Sequence, residues 1–236
     1  MAQPFRAAFE APRYNLSVRI LLVAATDAEV SQILERMYST PTEDACVDTY
    51  THGPHEIDVL ITGVGMVATA AWCSRALAQT TYDLALNLGV CGSFDEFIEP
   101  GTVVHVTSDR LAELGAEDGE QFLTLEELDL PGASEFVNLD PPSNPEIDTL
   151  PAVSGITVNT VHGNERTIAA VAERFRPQVE SMEGAAFMSA CLMHRVQFAQ
   201  IRAVSNLIER RNRGAWQVDV AIRNLGVSAL RIIDQA

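Results

Sequence analysis

The stretch RILLVAATDAEVSQILERM, residues 19–37, contains both kinds of element on which the fold depends. Residues 19–25 form a short continuous apolar run, which is typical of a strand buried on both faces. From Asp27 onward the apolar residues recur at helical spacing, so we expect a helix with Asp27 as its N-cap. The stretch therefore predicts a strand followed directly by a helix.

The same alternation continues to the end of the chain. Further strands are predicted at residues 55–65, 84–92, 102–108, 155–163 and 198–206, and further helices at residues 66–79, 164–175, 183–195 and 215–233. Apolar strands that alternate with helices predict an α/β fold, a single-domain three-layer sandwich with a central mixed β-sheet covered on both faces. We place this domain at residues 18–236 and expect residues 1–17 to form a flexible leader.

One acidic segment, residues 109–148, interrupts the alternation. It carries twelve acidic residues against one arginine, together with four prolines. A long solvated excursion on the surface is the interpretation that fits most of this segment. Loops of this length are uncommon unless they are functional, so a role as a lid or subunit contact also stays open.

Composition excludes several classes of function. The 236 residues carry a formal charge of −16, which disfavours binding to nucleic acid or to an anionic membrane. All sixteen basic residues are arginines, so neither a Schiff-base lysine nor the lysine of a phosphate-binding loop is available. The four cysteines lie far apart, and the five histidines lack metal-ligand spacing. We therefore expect a reduced, cytoplasmic protein with no metal, no cofactor, no signal peptide and no membrane span.

Candidate functional residues lie where predicted strands end, which is where ligands bind in folds of this class. Glu29 follows the first strand, and a carboxylate there suits either the first turn of a helix or a general base. The glycines of ITGVGM, residues 61–66, and NLGVCGS, residues 87–93, let a ligand approach the backbone, although tight turns explain them as well. Neither stretch has the spacing of a dinucleotide-binding loop.

A second pair of candidates lies further along the chain. Glu183 begins the predicted buried helix, and a carboxylate can accept two hydrogen bonds from a ribose cis-diol. Asn206 ends the last predicted strand, and its amide offers one donor and one acceptor to a purine edge. On its own, Asn206 is explained equally by a satisfied turn residue.

VESMEGAAF, residues 179–187, and RAVSN, residues 202–206, resemble the purine nucleoside phosphorylase and nucleosidase superfamily. Within that superfamily ELGAEDGEQFLTLEEL, residues 113–128, and SNLIERRNRGAW, residues 205–216, look most like the futalosine hydrolases of menaquinone biosynthesis. The resemblance implies a nucleoside phosphorylase-like fold and hydrolysis of futalosine to hypoxanthine and dehypoxanthine futalosine. It also implies a small-molecule nucleoside as partner and a homo-oligomer, a dimer or higher.

Roles are carried over from this resemblance by position. Glu29 corresponds to the carboxylate that activates water, Glu183 to the one that grips the ribose hydroxyls, and Met182 to the residue beneath ribose and base. Asn206 stands where adenine-specific nucleosidases have an aspartate beside N7, and Arg202 matches an arginine near the water site. The other residues expected to contact substrate are Val90, Cys91, Gly92, Val161 and His162.

Departures from the adenine nucleosidases shift the expected substrate. Ser181 stands where they have a second glutamate, with Glu180 displaced by one residue, and Val90 replaces a serine. Asn206 in place of aspartate suits a 6-oxopurine such as hypoxanthine, because an amide can donate to N7 or O6. Arg211 and Arg213 form a possible site for the aryl carboxylate of futalosine, although solvated arginines at a helix start are an equal alternative.

The same superfamily also carries out phosphorolysis. Asn87 replaces an arginine of the hexameric phosphorylases, and AATDAEV, residues 24–30, places two carboxylates where phosphate would have to bind. Like charges disfavour that anion, so hydrolysis is expected. A purine nucleoside phosphorylase, an adenine-type nucleosidase and a non-catalytic nucleoside-binding protein stay open as alternatives.

Overall fold

A computed structural model describes residues 17–41 and 47–236, so Cys46 and residues 1–16 of the expected leader lie outside the described residues. The strands are β1 Arg19–Ala24, β2 Tyr38–Thr40, β3 Asp48–His52, β4 His55–Ile61, β5 Leu84–Ser93, β6 Val103–Leu111, β7 Gly115–Asp118, β8 Gln121–Thr124, β9 Glu135–Val137, β10 Ala152–Thr157, β11 Val179–Ser181 and β12 Phe198–Leu207. The helices are α1 Asp27–Leu34, α2 Met66–Gln79, α3 Pro145–Thr149, α4 Glu165–Phe175, α5 Gly184–His194 and α6 Val218–Asp234, with a 3-10 turn at Arg213–Ala215.

Ten strands form one mixed sheet in the order β11-β10-β6-β12-β5-β1-β4-β3-β2, with β9 paired to β6. β5 pairs in parallel with β1 and with β12, whereas β6 runs antiparallel to β12. β11 also pairs with β5, so the strands from β5 through β12, β6 and β10 to β11 close on themselves. The predicted central mixed sheet is confirmed, and the closure brings the ends of β5, β11 and β12 together.

Helices cover the sheet on both faces. The core on one face contains Val30 and Ile33 of α1 and Leu225 and Ile232 of α6, packed against β1, β5 and β12. A second core packs α2 and α5 against the other face. Each core excludes apolar side chains from water, which is the main favourable contribution to folding. The predicted three-layer arrangement is therefore confirmed.

The surface-excursion interpretation of residues 109–148 is wrong at its beginning. Asp109 lies within β6 and is 1% exposed, and β9 returns to pair with β6 through Ser108, Asp109 and Arg110. β7 and β8 form a separate two-stranded sheet. The acidic composition concealed these strands. The partner of β9 lies 25 to 29 residues earlier in β6, and β7 and β8 are too short to carry a clear pattern.

Three local predictions also need correction. Thr26, not Asp27, is the N-cap of α1, and the last helix begins at Val218. The strand predicted over 155–163 runs from Ala152 to Thr157 and is followed by a loop. Among residues 17–41 and 47–236, no helix is long and apolar enough to cross a membrane.

Candidate active site

Glu29 lies in the first turn of α1 at the carboxyl end of β1, and its carboxylate is buried. Its Oε2 accepts hydrogen bonds from the Ala25 N–H at 3.1 Å, the Thr26 N–H at 2.9 Å and the Thr26 hydroxyl at 3.1 Å. Its Oε1 accepts from the Val90 N–H at 3.2 Å. Four donors therefore fix the orientation of one carboxylate, and the Val90 bond joins α1 to the end of β5.

Glu183 is the N-cap of α5, and it is buried within the VESMEGAAF stretch. Its Oε1 accepts a hydrogen bond from the Gly65 N–H at 3.0 Å, and its Oε2 lies 3.7 Å from Nη1 of Arg202. Gly65 has a φ of 104°, which favours glycine and lets its N–H face the carboxylate. The backbone N–H of Gly65 therefore joins the glycine turn that follows β4 to the side chain of Glu183.

Arg202 on β12 is 1% exposed, and its guanidinium faces Glu183 and lies near Glu29. Besides facing Glu183, it donates from Nη2 to Oδ1 of Asn87. A Cβ on Gly89 would lie 2.0 Å from Arg202 Nη1 and 3.0 Å from Glu29 Oε1. Gly89 is therefore required where Glu29 and Arg202 meet, and the predicted residues Glu29, Glu183 and Arg202 form one cluster.

Asn206 lies four residues after Arg202 on β12, beyond an irregularity in the pairing of β12 with β5. Its Oδ1 accepts from the Ser205 hydroxyl at 2.8 Å, and its Nδ2 donates to the Leu207 carbonyl at 2.8 Å. An amide nitrogen carries two hydrogens, so one N–H of Asn206 is left for a ligand. Asn206 therefore lies within β12 and not in a turn, and its side chain keeps one donor.

The other predicted contact residues lie around the same strand ends. Val90, Cys91 and Gly92 continue β5, and Met182 is half-buried directly before Glu183. Burial raises the pKa of the Cys91 thiol to about 12, so this group stays protonated at neutral pH. Val161 and His162 lie on the loop after β10, and His162 contacts Phe94 with ring centroids 6.5 Å apart.

Arg211 and Arg213 lie apart from the carboxylate cluster, and both stack on Trp216. Their guanidinium carbons lie 5.4 Å and 5.9 Å from the Trp216 ring centroid. A Cβ on Gly163 would lie 3.6 Å from the Arg211 Cβ, so this segment passes beside the loop that carries His162.

A buried polar network centred on Asp109 was not predicted. Asp109 accepts from the Thr157 hydroxyl at 2.9 Å and from Gln200 Nε2 at 2.9 Å, while Thr157 Oγ1 accepts from the Ala185 N–H at 2.7 Å. A Cβ on Gly184 would lie 2.1 Å from Asp109 Oδ2. The network therefore fixes the start of α5, which follows Glu183 directly. The sequence feature that could have revealed this network is the pair of polar residues Gln200 and Arg202, two positions apart in an otherwise apolar strand.

Replacing Asp109 by asparagine should flatten the pH dependence of stability. Burial raises the pKa of Asp109 to about 6, above its ordinary value of 3.8. The folded state therefore binds the proton more tightly, and stability falls as pH rises from about 4 through about 6. We expect the unfolding free energy of the wild type to fall by about 1 kcal/mol more than that of Asp109→Asn between pH 5 and pH 7.5.

Urea titrations at the two pH values measure this difference. Asp140→Asn is the matched control, because Asp140 is an exposed carboxylate of the same acidic segment. Its pH profile should follow that of the wild type. Parallel profiles for the wild type and Asp109→Asn would contradict the assignment.

The site residues described above do not form a metal centre. Among the residues that the structure describes, no group of three or more His, Cys, Asp and Glu side chains is arranged to hold a metal ion.

Comparison with known proteins places the chain among nucleoside-cleaving enzymes. The family model of the Phosphorylase superfamily matches residues 19–234. A futalosine hydrolase from Acidothermus cellulolyticus is 30% identical over 219 residues, covering 89% of this chain and 88% of the relative. The futalosine hydrolase of Thermus thermophilus is 31% identical over 180 residues, covering 74% of this chain and 80% of the relative.

The fold agrees with this sequence similarity. A 5′-methylthioadenosine/S-adenosylhomocysteine nucleosidase from Colwellia psychrerythraea, solved in complex with adenine, superposes with a TM-score of 0.76 at 21% identity. The match covers 93% of this chain and 96% of the nucleosidase. The chain belongs to the Phosphorylase superfamily and, within it, to the futalosine hydrolase family.

Proposed function

We propose that the protein hydrolyses the N-glycosidic bond of futalosine and releases hypoxanthine and dehypoxanthine futalosine. The observation that carries this proposal is the cluster of Glu29, Glu183 and Arg202 at the end of β5. Two carboxylates and one guanidinium suit a nucleoside, since one carboxylate can activate water while the other binds ribose hydroxyls. The similarity to futalosine hydrolases over most of the chain supports the choice of substrate.

Water suits this cluster better than phosphate does. Phosphate binding needs cationic side chains or several free backbone N–H groups. The guanidinium of Arg202 already faces Glu183 and Asn87, and the N–H groups of Ala25 and Thr26 already bond to Glu29. An incoming phosphate would also meet two carboxylates. These contacts support hydrolysis over phosphorolysis.

In the proposed reaction, Glu29 takes a proton from water as the water oxygen forms a bond to C1′. The C1′–N9 bond breaks and its electrons pass to the departing purine, which takes a proton from solvent and leaves as neutral hypoxanthine. The one free N–H of Asn206 donates to N7 and stabilises the negative charge that develops on hypoxanthine. Glu183 accepts hydrogen bonds from the ribose hydroxyls, with Met182 packed beneath the sugar.

Arg211 and Arg213 are proposed to bind the aryl carboxylate of futalosine. Their guanidinium groups are exposed and stack on Trp216, so both can reach an anion while Trp216 supports their planar faces. An aromatic ring carrying that carboxylate also fits beside the indole.

We further propose a cytoplasmic homo-oligomer that acts in menaquinone biosynthesis. Large apolar side chains are exposed on the layer formed by α2 and α5, where Val67 is 79% and Met193 is 72% exposed. Covering such side chains with a second copy removes apolar surface from water. Light scattering should give a mass at least twice the 25.7 kDa of one chain.

The deciding experiment is chromatography of the products formed from futalosine in phosphate-free buffer. We expect hypoxanthine and dehypoxanthine futalosine, at a rate that added phosphate does not change. A rate that depends on phosphate would instead identify a phosphorylase. Faster cleavage of the 6-amino analogue would identify an adenine-type nucleosidase, and tight binding without turnover would identify a non-catalytic binding protein.

A further inference from the structure

One buried carboxylate beside the site has no role in the mechanism above. Glu180 on β11 is 4% exposed, and its Oε1 accepts a hydrogen bond from the His162 N–H at 2.9 Å. Its Oε2 lies against His162 Nδ1, so the imidazole donates from Nδ1 and its orientation is fixed. Burying a carboxylate is costly unless it has partners, and a carboxylate offers about four lone-pair positions. His162 occupies two of them.

The register of the sheet places Glu180 opposite Asn206. Glu180 pairs with Gly92 from one side, and Asn206 pairs with Gly92 from the other. Residues paired across adjacent strands project on the same face, so both side chains flank a position that has no side chain of its own. Two strand spacings separate their Cα atoms by about 10 Å. The two polar groups therefore stand on either side of Gly92, and the side chain of Ile208 lies over this glycine, since a Cβ on Gly92 would be 2.7 Å from Ile208 Cγ1.

The chemistry of these groups distinguishes the two kinds of purine. A 6-oxopurine presents an N–H donor at N1 and acceptors at O6 and N7, whereas adenine presents an acceptor at N1 and a donor at its amino group. An ionised carboxylate only accepts, and the amide nitrogen of Asn206 donates. The backbone N–H of His162, which could serve an unprotonated N1, is already bound to Glu180.

We propose that Glu180, oriented by His162, is a specificity-determining residue that accepts a hydrogen bond from N1–H of a 6-oxopurine. Asn206 donates at the opposite edge of the base. Adenine in the same place would set its N1 lone pair against the carboxylate, which leaves both buried acceptors without a donor. This inference rests on the proposed function, because it places the base of that nucleoside between Glu180 and Asn206.

Glu180→Gln tests the assignment, because it keeps the size of the side chain and replaces one acceptor by a donor. Calorimetry with the free bases should give the dissociation constants of the protein for hypoxanthine and for adenine. We expect the preference of the wild type for hypoxanthine to fall roughly 10- to 100-fold in the variant. The KM for futalosine should rise more than kcat falls, and the 6-amino analogue should be cleaved relatively better.

Two further variants keep the test decisive. Glu113→Gln is the matched control, since exposed Glu113 accepts from the Asn159 backbone and side chain, and its base preference should equal that of the wild type. His162→Ala removes the ring that orients Glu180 and should also lower the preference for hypoxanthine. If Glu180 had only a structural role, its substitution would weaken the binding of hypoxanthine and adenine by the same factor. An unchanged preference in Glu180→Gln and His162→Ala therefore overturns the proposal.

The outcomes also separate this inference from the proposed function. A wild type that prefers hypoxanthine but leaves futalosine intact would refute the function while supporting the role of Glu180. A wild type that hydrolyses futalosine, with a base preference that survives both substitutions, would refute the role of Glu180 alone.

Discussion

Glu29→Gln should lose turnover of futalosine by roughly 100- to 10,000-fold, the range that a general base contributes. The carboxylate of Glu29 is held by four donors and lies beside Arg202 over Gly89, so its orientation does not depend on substrate. An amide of the same shape cannot accept the proton of an attacking water. Single-turnover measurement of hypoxanthine release reports this step directly, and the loss should lie in kcat.

Stability must be measured alongside, because Glu29 also bonds to the backbone at the start of α1. The amide introduced by the substitution keeps one acceptor but turns an NH2 group towards donors, so some loss of stability is expected. Asp27→Asn is the matched control, since Asp27 is an exposed carboxylate in the same helical turn. It should keep normal turnover. A folded Glu29→Gln enzyme with near-normal turnover would show that another group activates the water.

The sequence predicted the central elements of the fold well, because they are long and strongly patterned. The helix expected over residues 66–79 is observed over the same residues, and the last strand differs by one residue at its end. The short strands β2, β3 and β11 were missed. A strand of three to five residues carries too little periodicity to be recognised, whether its partner is a neighbouring strand, as for β3 and β4, or lies far along the chain, as for β11 and β5.

The sequence predicted several residues of the site but not the contacts between them. The strand-end rule and the family resemblance together selected Glu29, Glu183 and Arg202, which the structure brings into one cluster. The contact of Glu183 with the Gly65 N–H depends on a turn conformation, and no residue type specifies which carboxylate that turn will meet. Asp109 was hidden for another reason, since an aspartate in an acidic segment is normally solvated.

Glu180 shows why the register of paired strands cannot be predicted from the local sequence. The sequence placed it one residue away from the glutamate of adenine nucleosidases but could not show where it points. Only the pairing of β11 and β12 with β5 sets Glu180 and Asn206 on either side of Gly92. A shift of one residue in either strand would turn its side chain to the opposite face.

Glu183→Gln is expected to lower kcat/KM for futalosine by roughly 10- to 150-fold, since each hydrogen bond to a charged group contributes about 1.5–3 kcal/mol and one such bond is lost. The carboxylate is proposed to accept from two ribose hydroxyls, and the amide can accept from only one side. The fold should survive, because the amide oxygen can still accept from the Gly65 N–H and Arg202 keeps Asn87 as a partner. Affinity for free hypoxanthine should not change.

A substrate that lacks the ribose 2′-hydroxyl distinguishes this role from a general structural defect. The wild type should cleave the 2′-deoxy nucleoside much more slowly than futalosine, because one partner of Glu183 is missing. In Glu183→Gln, loss of the 2′-hydroxyl should slow cleavage by a smaller factor, because the hydrogen bonds between residue 183 and the ribose are already weakened. The effects of the two changes are then not additive. Additive losses would mean that Glu183 does not touch the ribose and acts only through Arg202, its neighbour at 3.7 Å.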